Sequence, residues 1–373
     1  MGWNIGANDA ANCIGTSVGS GLIRFRHAVL LMTVCVVAGA VLQGHHVMKT
    51  IGKGIVICDP HDFASPEKRG EAQRLDEQIA ACTESQSLRL AELRANKMAL
   101  VKEIATEIAA RRPADHEELF AEEKLPDLAI LVALLSAGLF VTLATFSRIP
   151  VSTSQAIVGG VLGVGIGMVG FEPGYFQLTV LWKIVACWVV CPLLTLIVSS
   201  GAYILLRISL RSRSDHRRSN AILAILVLLS AGYVSYSLGM NDVGNAIGPL
   251  LSKYPDHGPY LALFGGVALA VGAVTFGKRV TETVGKRITP LDLPGALAAQ
   301  VAAASAVYVF SMMGIPVSTS QAIVGAVIGV GLVKGARAVS KRKVAEIAVG
   351  WVGSPLCAAL FAAVVYALLA GLF

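Results

Sequence analysis

Seven apolar runs are the feature that most constrains the fold of this chain. Each is long enough to cross about 30 Å of hydrocarbon as a helix, and a segment in lipid must satisfy its own backbone hydrogen bonds. With 55% hydrophobic and only 15% charged residues, the sequence leaves little room for a soluble domain. We therefore predict an all-α polytopic membrane protein. The runs lie near residues 27–44, 128–146, 179–206, 220–238, 260–276, 293–314 and 344–372.

Three motifs occur twice, which indicates two related halves. GANDAANCIG at 6–15 matches GMNDVGNAIG at 239–248, an offset of 233, and a shorter similarity starting at Gly44 and Gly277 has the same offset. PVSTSQAIVG begins at Pro150 and recurs unchanged from Pro316, an offset of 166. The two offsets differ by 67 residues, so one half carries an insert of that length.

The insert is the charged segment 59–125, which divides the first membrane repeat into 1–58 and 126–206. A basic linker, 207–219, leads to the second membrane repeat, 220–373. Apolar residues at helical spacing predict one or two amphipathic helices in the insert. A solvated decoration is the simplest interpretation of the insert, and a regulatory role is the alternative. Because five residues precede Gly6 and a long apolar run precedes Gly239, we expect the first helix to be truncated.

Loop charges predict that the two repeats are inverted. The loop around Arg24 is basic while its counterpart 253–257 is nearly neutral, and the basic loop 334–343 corresponds to 168–177, which has no basic residue. Basic loops stay on the cytoplasmic side, so matching loops should lie on opposite faces. This orientation places the linker inside and the insert outside. It also explains the sequence pI of 9.1 without nucleic-acid binding.

The duplicated Asn-Asp motif is a candidate cation site. A carboxylate in hydrocarbon is costly and is by default functional, and Asp9 and Asp242 occupy equivalent positions. Inverted repeats commonly bind ions where a helix is interrupted, so we expect breaks here that free backbone carbonyls. Such hard oxygens suit Na⁺ or a proton relay. The predicted ligands of Na⁺, or of another polar part of the substrate, are Asp9, Asn12, Asp242 and Asn245.

The duplicated PVSTSQ motif predicts two helix starts with an anion between them. Proline and hydroxyl residues are typical of the first turn, where free N–H groups and the helix dipole favour an anion. Simple capping would explain one Ser or Thr in each half, but not four identical polar residues. The predicted phosphate-binding residues are Ser152, Thr153, Ser154, Gln155, Ser318, Thr319, Ser320 and Gln321.

The third motif pair departs from symmetry. Lys278, Arg279 and Glu282 stand where the other half has His45, His46 and Lys49. These residues are either a gate or interfacial anchors, because long basic side chains commonly extend towards headgroups.

Together these motifs resemble the inorganic phosphate transporter (PiT) family, over the whole chain except 59–125. The resemblance implies a multi-pass protein of the plasma or inner membrane, a homodimer, that carries phosphate in symport with Na⁺ or H⁺. It implies no cofactor other than the coupling ion, and no enzyme. The serine motifs also lack a nearby histidine base. Sulfate permeases share the family, so sulfate transport is an alternative, as is a membrane receptor that does not transport.

Overall fold

The computed structural model describes residues 1–19, 21–53, 55–56, 87–110, 127–146, 151–170, 176–211, 216–278, 291–335 and 339–370, with scattered residues from 68 to 81. Almost all of them are helical. The helices are α1 Gly2–Gly19, α2 Phe25–Gln43, α3 His45–Lys53, α4 Ser87–Ala110, α5 Asp127–Phe146, α6 Thr153–Val169, α7 Leu178–Arg211, α8 His216–Lys253, α9 Gly258–Thr275, α10 Leu293–Met312, α11 Thr319–Lys334 and α12 Lys341–Ala370.

Seven of the described helices are long and apolar enough to cross a membrane, and they coincide with the seven predicted runs. They are α2, α5, α7, α8, α9, α10 and α12. Two shorter apolar helices, α6 and α11, each begin at a PVSTSQ motif. The prediction of a multi-pass helical membrane protein is therefore confirmed.

The insert and the linker are both partly helical. Helix α4 lies within 59–125, as the apolar spacing predicts, and most of the rest of the insert lies outside the described residues. Helices α7 and α8 extend into the segment 207–219, so only 212–215 separates them, and these residues also lie outside the described part. The basic charge of the linker is therefore carried largely on helix ends.

The expected helix break at the Asn-Asp motif is wrong. Helix α8 runs without interruption through Asn241 and Asp242, and α1 runs likewise through Asp9. The physical reason is that every residue of these motifs keeps its N–H. The only proline of α8, Pro249, lies two turns after Asp242. The motif side chains therefore project from the face of a continuous helix, and the one carbonyl that loses its helical donor is that of Asn245, four residues before Pro249.

The break lies instead before the second PVSTSQ motif. Helix α10 ends at Met312, and Gly314 then adopts a φ of 71°, which glycine tolerates without a Cβ penalty. Pro316 and Val317 continue outside any helix, and α11 begins at Thr319. This turn brings the start of α11 into the interior, next to α8.

Helices of each half pack against helices of the other half. At the crossing of α1 and α9, a Cβ on Gly6 would lie 1.7 Å from the carbonyl oxygen of Leu269. At the equivalent crossing of α8 and α2, a Cβ on Gly239 would lie 2.0 Å from the carbonyl oxygen of Val36. The backbones are therefore in direct contact, as is typical of glycine-mediated helix packing in membranes.

The two short helices, α6 and α11, also pack against helices of the other half. In α6, Gly159 faces the carbonyl of Pro355 in α12, with 2.3 Å to a built Cβ. In α11, the equivalent Gly325 faces the carbonyl of Pro192 in α7, also at 2.3 Å. Both prolines lie inside long helices. The two halves are therefore interlocked, and the motif segments meet where they join.

Candidate functional site

The first serine of each PVSTSQ motif is a helix cap. The hydroxyl oxygen of Ser152 accepts a hydrogen bond from the backbone N–H of Gln155 at 3.2 Å, and Ser318 does the same for Gln321 at 3.2 Å. The capping interpretation therefore applies to these two residues. The first backbone bond of α6 runs from the Ala156 N–H to the Ser152 carbonyl, so the N–H groups of Thr153 and Ser154 lie ahead of the helical ladder, while that of Gln155 is bound by the cap.

Asp9 is fully buried and is surrounded by polar groups from three helices. The Thr153 hydroxyl donates to Oδ2 at 3.2 Å, and the Ser320 hydroxyl donates to Oδ1 at 3.0 Å. Asn12 and Asn8 donate from their side-chain amides to Oδ1 at 2.8 Å and 3.2 Å. Asn12 also donates to the Ser320 hydroxyl at 2.9 Å. The carboxylate thus joins α1 to the starts of α6 and α11.

Asp242 is equally buried and has the equivalent partners. The Thr319 hydroxyl lies 3.3 Å from Oδ2, and the Ser154 hydroxyl lies 3.5 Å from Oδ1. Asn245 and Asn241 donate to Oδ1 at 2.6 Å and 2.9 Å. Ser154 has a single hydroxyl hydrogen, and the Val317 carbonyl at 2.8 Å is the nearer acceptor for it.

The contacts of Asp9 become those of Asp242 when each first-half residue is replaced by its second-half counterpart and the reverse. Each carboxylate meets the threonine of its own half through Oδ2 and the serine of the other half through Oδ1. The sequence predicted a cation site and an anion site, and the structure brings their residues into one hydrogen-bonded network. Such an exchange is expected of a two-fold axis between repeats. The orientation of the repeats relative to the membrane stays a prediction.

The two halves of the network differ in their exposure. Asn12 and Ser320 are partly exposed, whereas their counterparts Asn245 and Ser154 are buried. Asn241 also pairs with both backbone groups of Val317, donating to its carbonyl at 2.7 Å and accepting from its N–H at 3.1 Å. The Asp242 half is therefore the more tightly closed of the two.

Three amide oxygens of the motifs are buried with no hydrogen-bond donor among the residues that the structure describes. They are Gln155 Oε1, Gln321 Oε1 and Asn245 Oδ1, and the two glutamines occupy equivalent positions. A buried acceptor without a partner is costly, and such oxygens are good ligands for a hard cation. This finding makes the glutamine oxygens better suited to a cation than to phosphate.

Comparison with known proteins identifies the family. The profile described as the phosphate transporter family matches residues 5–81 and 97–362. The chain belongs to this family. Of the relatives, "Putative phosphate permease TK2061" of Thermococcus kodakarensis is 27% identical, over 99% of this chain and 95% of its own length. "Inorganic phosphate transporter 2-1, chloroplastic" of Arabidopsis thaliana is also 27% identical, over 94% of this chain and 67% of its own length.

A solved structure is similar over the whole chain. It is described as "The sodium-dependent phosphate transporter" and has a TM-score of 0.75 and 25% identity, with 100% of this chain and 97% of that chain covered. The resemblance to the phosphate transporter family, drawn from the motifs, is therefore confirmed. The helical membrane fold agrees with it.

In this family member, several residues of the network were missed by the sequence analysis. Asn8 and Asn241 lie inside the duplicated motif, so the duplication itself could have identified them. Ser311 donates to Asn241 at 3.2 Å, and Val317 contributes only backbone groups. Ser311 lies in no duplicated motif, and the apolar side chain of Val317, although inside the second PVSTSQ motif, gives no sign of a polar contact.

The predicted gate is only partly described. Lys278 is exposed, and Arg279 and Glu282 lie outside the described residues. In the other half, the rings of His45 and His46 lie 3.9 Å apart at the start of α3. Burial, followed by the positive charge of its neighbours, lowers the pKa of His45. The two alternatives, a gate or interfacial anchors, therefore both stay predictions.

Proposed function

We propose that this protein carries inorganic phosphate across the membrane in symport with a cation. The observation that carries the proposal is the buried network in which Asp9 and Asp242 share the hydroxyls of two helix starts. The matched family and the similar sodium-dependent phosphate transporter support phosphate as the substrate.

The charge of the network requires a cation. In the described part of the chain, the hydrogen-bond donors to the two carboxylates are hydroxyl and amide groups, with no lysine or arginine among them. Two unit charges about 4 Å apart interact by about 4 kcal/mol near a protein surface, and more strongly inside. Phosphate beside two carboxylates would therefore be repelled unless Na⁺ or a proton neutralised them. This requirement couples the anion to the cation.

The roles of the residues follow from their chemistry. We assign the carboxylate and amide oxygens to the coupling ion, and the hydroxyls with the first N–H groups of α6 and α11 to phosphate. In the structure the hydroxyls of Thr153, Thr319 and Ser320 are directed at the carboxylates. A cation that occupies those carboxylates would free the hydroxyls to turn towards the anion. The cation residues are Asp9, Asn12, Asp242 and Asn245, with the oxygens of Gln155 and Gln321. The phosphate residues are Thr153, Ser154, Thr319 and Ser320, and the caps Ser152 and Ser318 hold the two helix starts in place.

Sulfate transport is the second candidate. Phosphate at neutral pH keeps a proton that it can donate to a carboxylate, whereas sulfate has none. The paired acceptors Asp9 and Asp242 therefore favour phosphate. A receptor that binds phosphate without transport is the third candidate, and transmembrane flux distinguishes it from the first two.

The test is uptake of labelled phosphate into proteoliposomes. We expect accumulation with an imposed Na⁺ gradient or, in a separate arm, with an imposed pH gradient, and the stronger response identifies the coupling ion. Excess sulfate should leave uptake nearly unchanged. Strong inhibition by sulfate would favour the sulfate permease, and binding without accumulation would favour the receptor.

We further propose that the protein is a homodimer in the plasma or inner membrane. The family resemblance supports both points. The mass of the detergent-solubilised protein, measured by light scattering, tests the first, and membrane fractionation tests the second.

A further inference from the structure

A second buried polar cluster lies on α1 beyond the site. Gln300 of α10 is fully buried. Its amide nitrogen donates to the Thr16 hydroxyl at 2.5 Å and to the Cys13 carbonyl at 3.4 Å, and its amide oxygen accepts from the Ser230 hydroxyl of α8 at 2.7 Å. One side chain thus ties α1 to both α8 and α10. None of these bonds is made to a residue of the proposed transport site.

The cluster holds the helix that carries one half of the site. Asp9 and Asn12 precede Cys13 and Thr16 on the same continuous helix. On the other side of Asp9, the backbone of Gly6 contacts α9. The two site residues therefore lie between two fixed points of α1, one made by backbone packing and the other by Gln300.

The other half replaces this cluster with apolar residues. The repeat offsets place Leu134 at the position of Gln300, and Pro249 at the position of Thr16. Leu134 belongs to an apolar cluster that also includes Leu250. An amide buried in lipid is costly, so its presence in one half alone is not explained by the duplication. The hydrogen bonds of Gln300 instead restrict the position of α1, the helix that carries the more exposed half of the network.

We infer that Gln300 is a positioning residue that sets the affinity of the Asp9 half of the site for the coupling cation. This inference rests on the proposed function, in which Asp9 and Asn12 bind that cation. Ligand geometry depends on such supporting bonds, and their loss typically weakens metal binding about 10- to 100-fold. The residues that bind phosphate should be affected less, because the start of α6 is held by contacts that do not involve Gln300. Ser152 caps this helix, and its N–H lies 3.4 Å from the Ser354 hydroxyl of α12.

The test compares Gln300→Leu with Leu134→Met in proteoliposomes. Leucine is the residue of the other half, and Leu134→Met is the matched control. Uptake is titrated with Na⁺ at fixed pH, with protons in the absence of Na⁺, and with phosphate at a saturating level of the ion that drives transport. We expect Gln300→Leu to raise the half-saturating concentration of that ion about tenfold. The half-saturating phosphate concentration should change less than about twofold, and Leu134→Met should change neither.

A second variant separates positioning from folding. Thr16→Val removes the nearer of the two acceptors on α1 but keeps the branched shape, so it should raise the half-saturating ion concentration even if Gln300→Leu does not fold. Thr16→Ser, which keeps the hydroxyl, should restore wild-type values. Unchanged ion dependence in Thr16→Val and in folded Gln300→Leu overturns the inference. So does an equal rise of both constants with a lower melting temperature, because that result means general loosening of the bundle.

The wild-type arm reports on the proposed function separately. Wild-type uptake that depends on neither Na⁺ nor protons contradicts the symport proposal, and the inference fails with it. Ion-dependent uptake that is the same in wild type, in Thr16→Val and in folded Gln300→Leu contradicts the inference alone.

Discussion

At the scale of single residues, the two buried carboxylates are the most consequential groups. We predict that Asp9→Asn and Asp242→Asn each reduce concentrative phosphate uptake about 10- to 100-fold, because each removes a charge that binds the cation. Asp127→Asn is the control, since Asp127 pairs with Lys253 at the end of a helix, outside the network. Uptake and melting temperature are measured together. Wild-type uptake in either folded variant would remove that carboxylate from the mechanism.

The duplicated hydroxyls should separate into two classes. Ser152→Ala and Ser318→Ala remove helix caps and should lower the free energy of unfolding by about 1 kcal/mol. Thr153→Val and Thr319→Val remove hydroxyls that contact carboxylates and should weaken phosphate binding about tenfold, with a smaller loss of stability. Phosphate affinity and thermal stability of all four variants are compared. Normal phosphate binding by both valine variants would place the anion site elsewhere.

Most of the network could be predicted from sequence because it is duplicated. The residue types at Asp9, Asp242 and the PVSTSQ motifs are unusual in apolar sequence, and duplication distinguishes them from chance. The partnership between them could not be predicted. It depends on which helix of one half faces which helix of the other, and on the turn at Gly314, and neither has a local signal.

At the scale of helices, the crossings depend on glycine. Gly6→Ala and Gly239→Ala should each destabilise the fold by about 1–3 kcal/mol, because the added methyl would overlap a backbone carbonyl. Gly201→Ala in α7 is the matched control, since a Cβ there meets no atom within 4 Å. We expect that control to be neutral or slightly stabilising, because alanine favours a helix. Thermal unfolding in detergent measures all three, and equal effects at Gly6 and Gly201 would contradict the close crossing.

The long helices and the helix starts at the two PVSTSQ motifs were predictable, but the continuity of α8 through its Asn-Asp motif was not. Hydropathy identifies the seven long runs because lipid demands continuous apolar length. The motif around Asp242 contains glycine and asparagine, which are typical of breaks, and yet α8 continues through it. Tertiary packing against α2 overrides that local preference, because the glycine is used there for close approach rather than for a turn.

At the scale of the whole molecule, the inverted arrangement predicts the side on which each loop lies. Single cysteines replacing Arg24 and His257, which are exposed and occupy matching positions of the two repeats, are labelled in sealed cells with a reagent that does not cross membranes. His257→Cys should react only from outside, and Arg24→Cys only after permeabilisation, because the basic loop stays in the cytoplasm. Labelling of both from the same side would refute the inversion.

The crossed packing of the halves has a consequence for assembly. Each carboxylate takes hydroxyls from both halves, and α1, α2, α6 and α7 all pack on partners encoded in the second half. Neither half can therefore complete a carboxylate cluster alone, and the described residues of both clusters lie away from the join of α7 and α8. We predict that residues 1–213 and 214–373, co-expressed as separate polypeptides, restore phosphate uptake, whereas each expressed singly gives none. The gene could thus be divided at that point, but neither product could act as a smaller transporter.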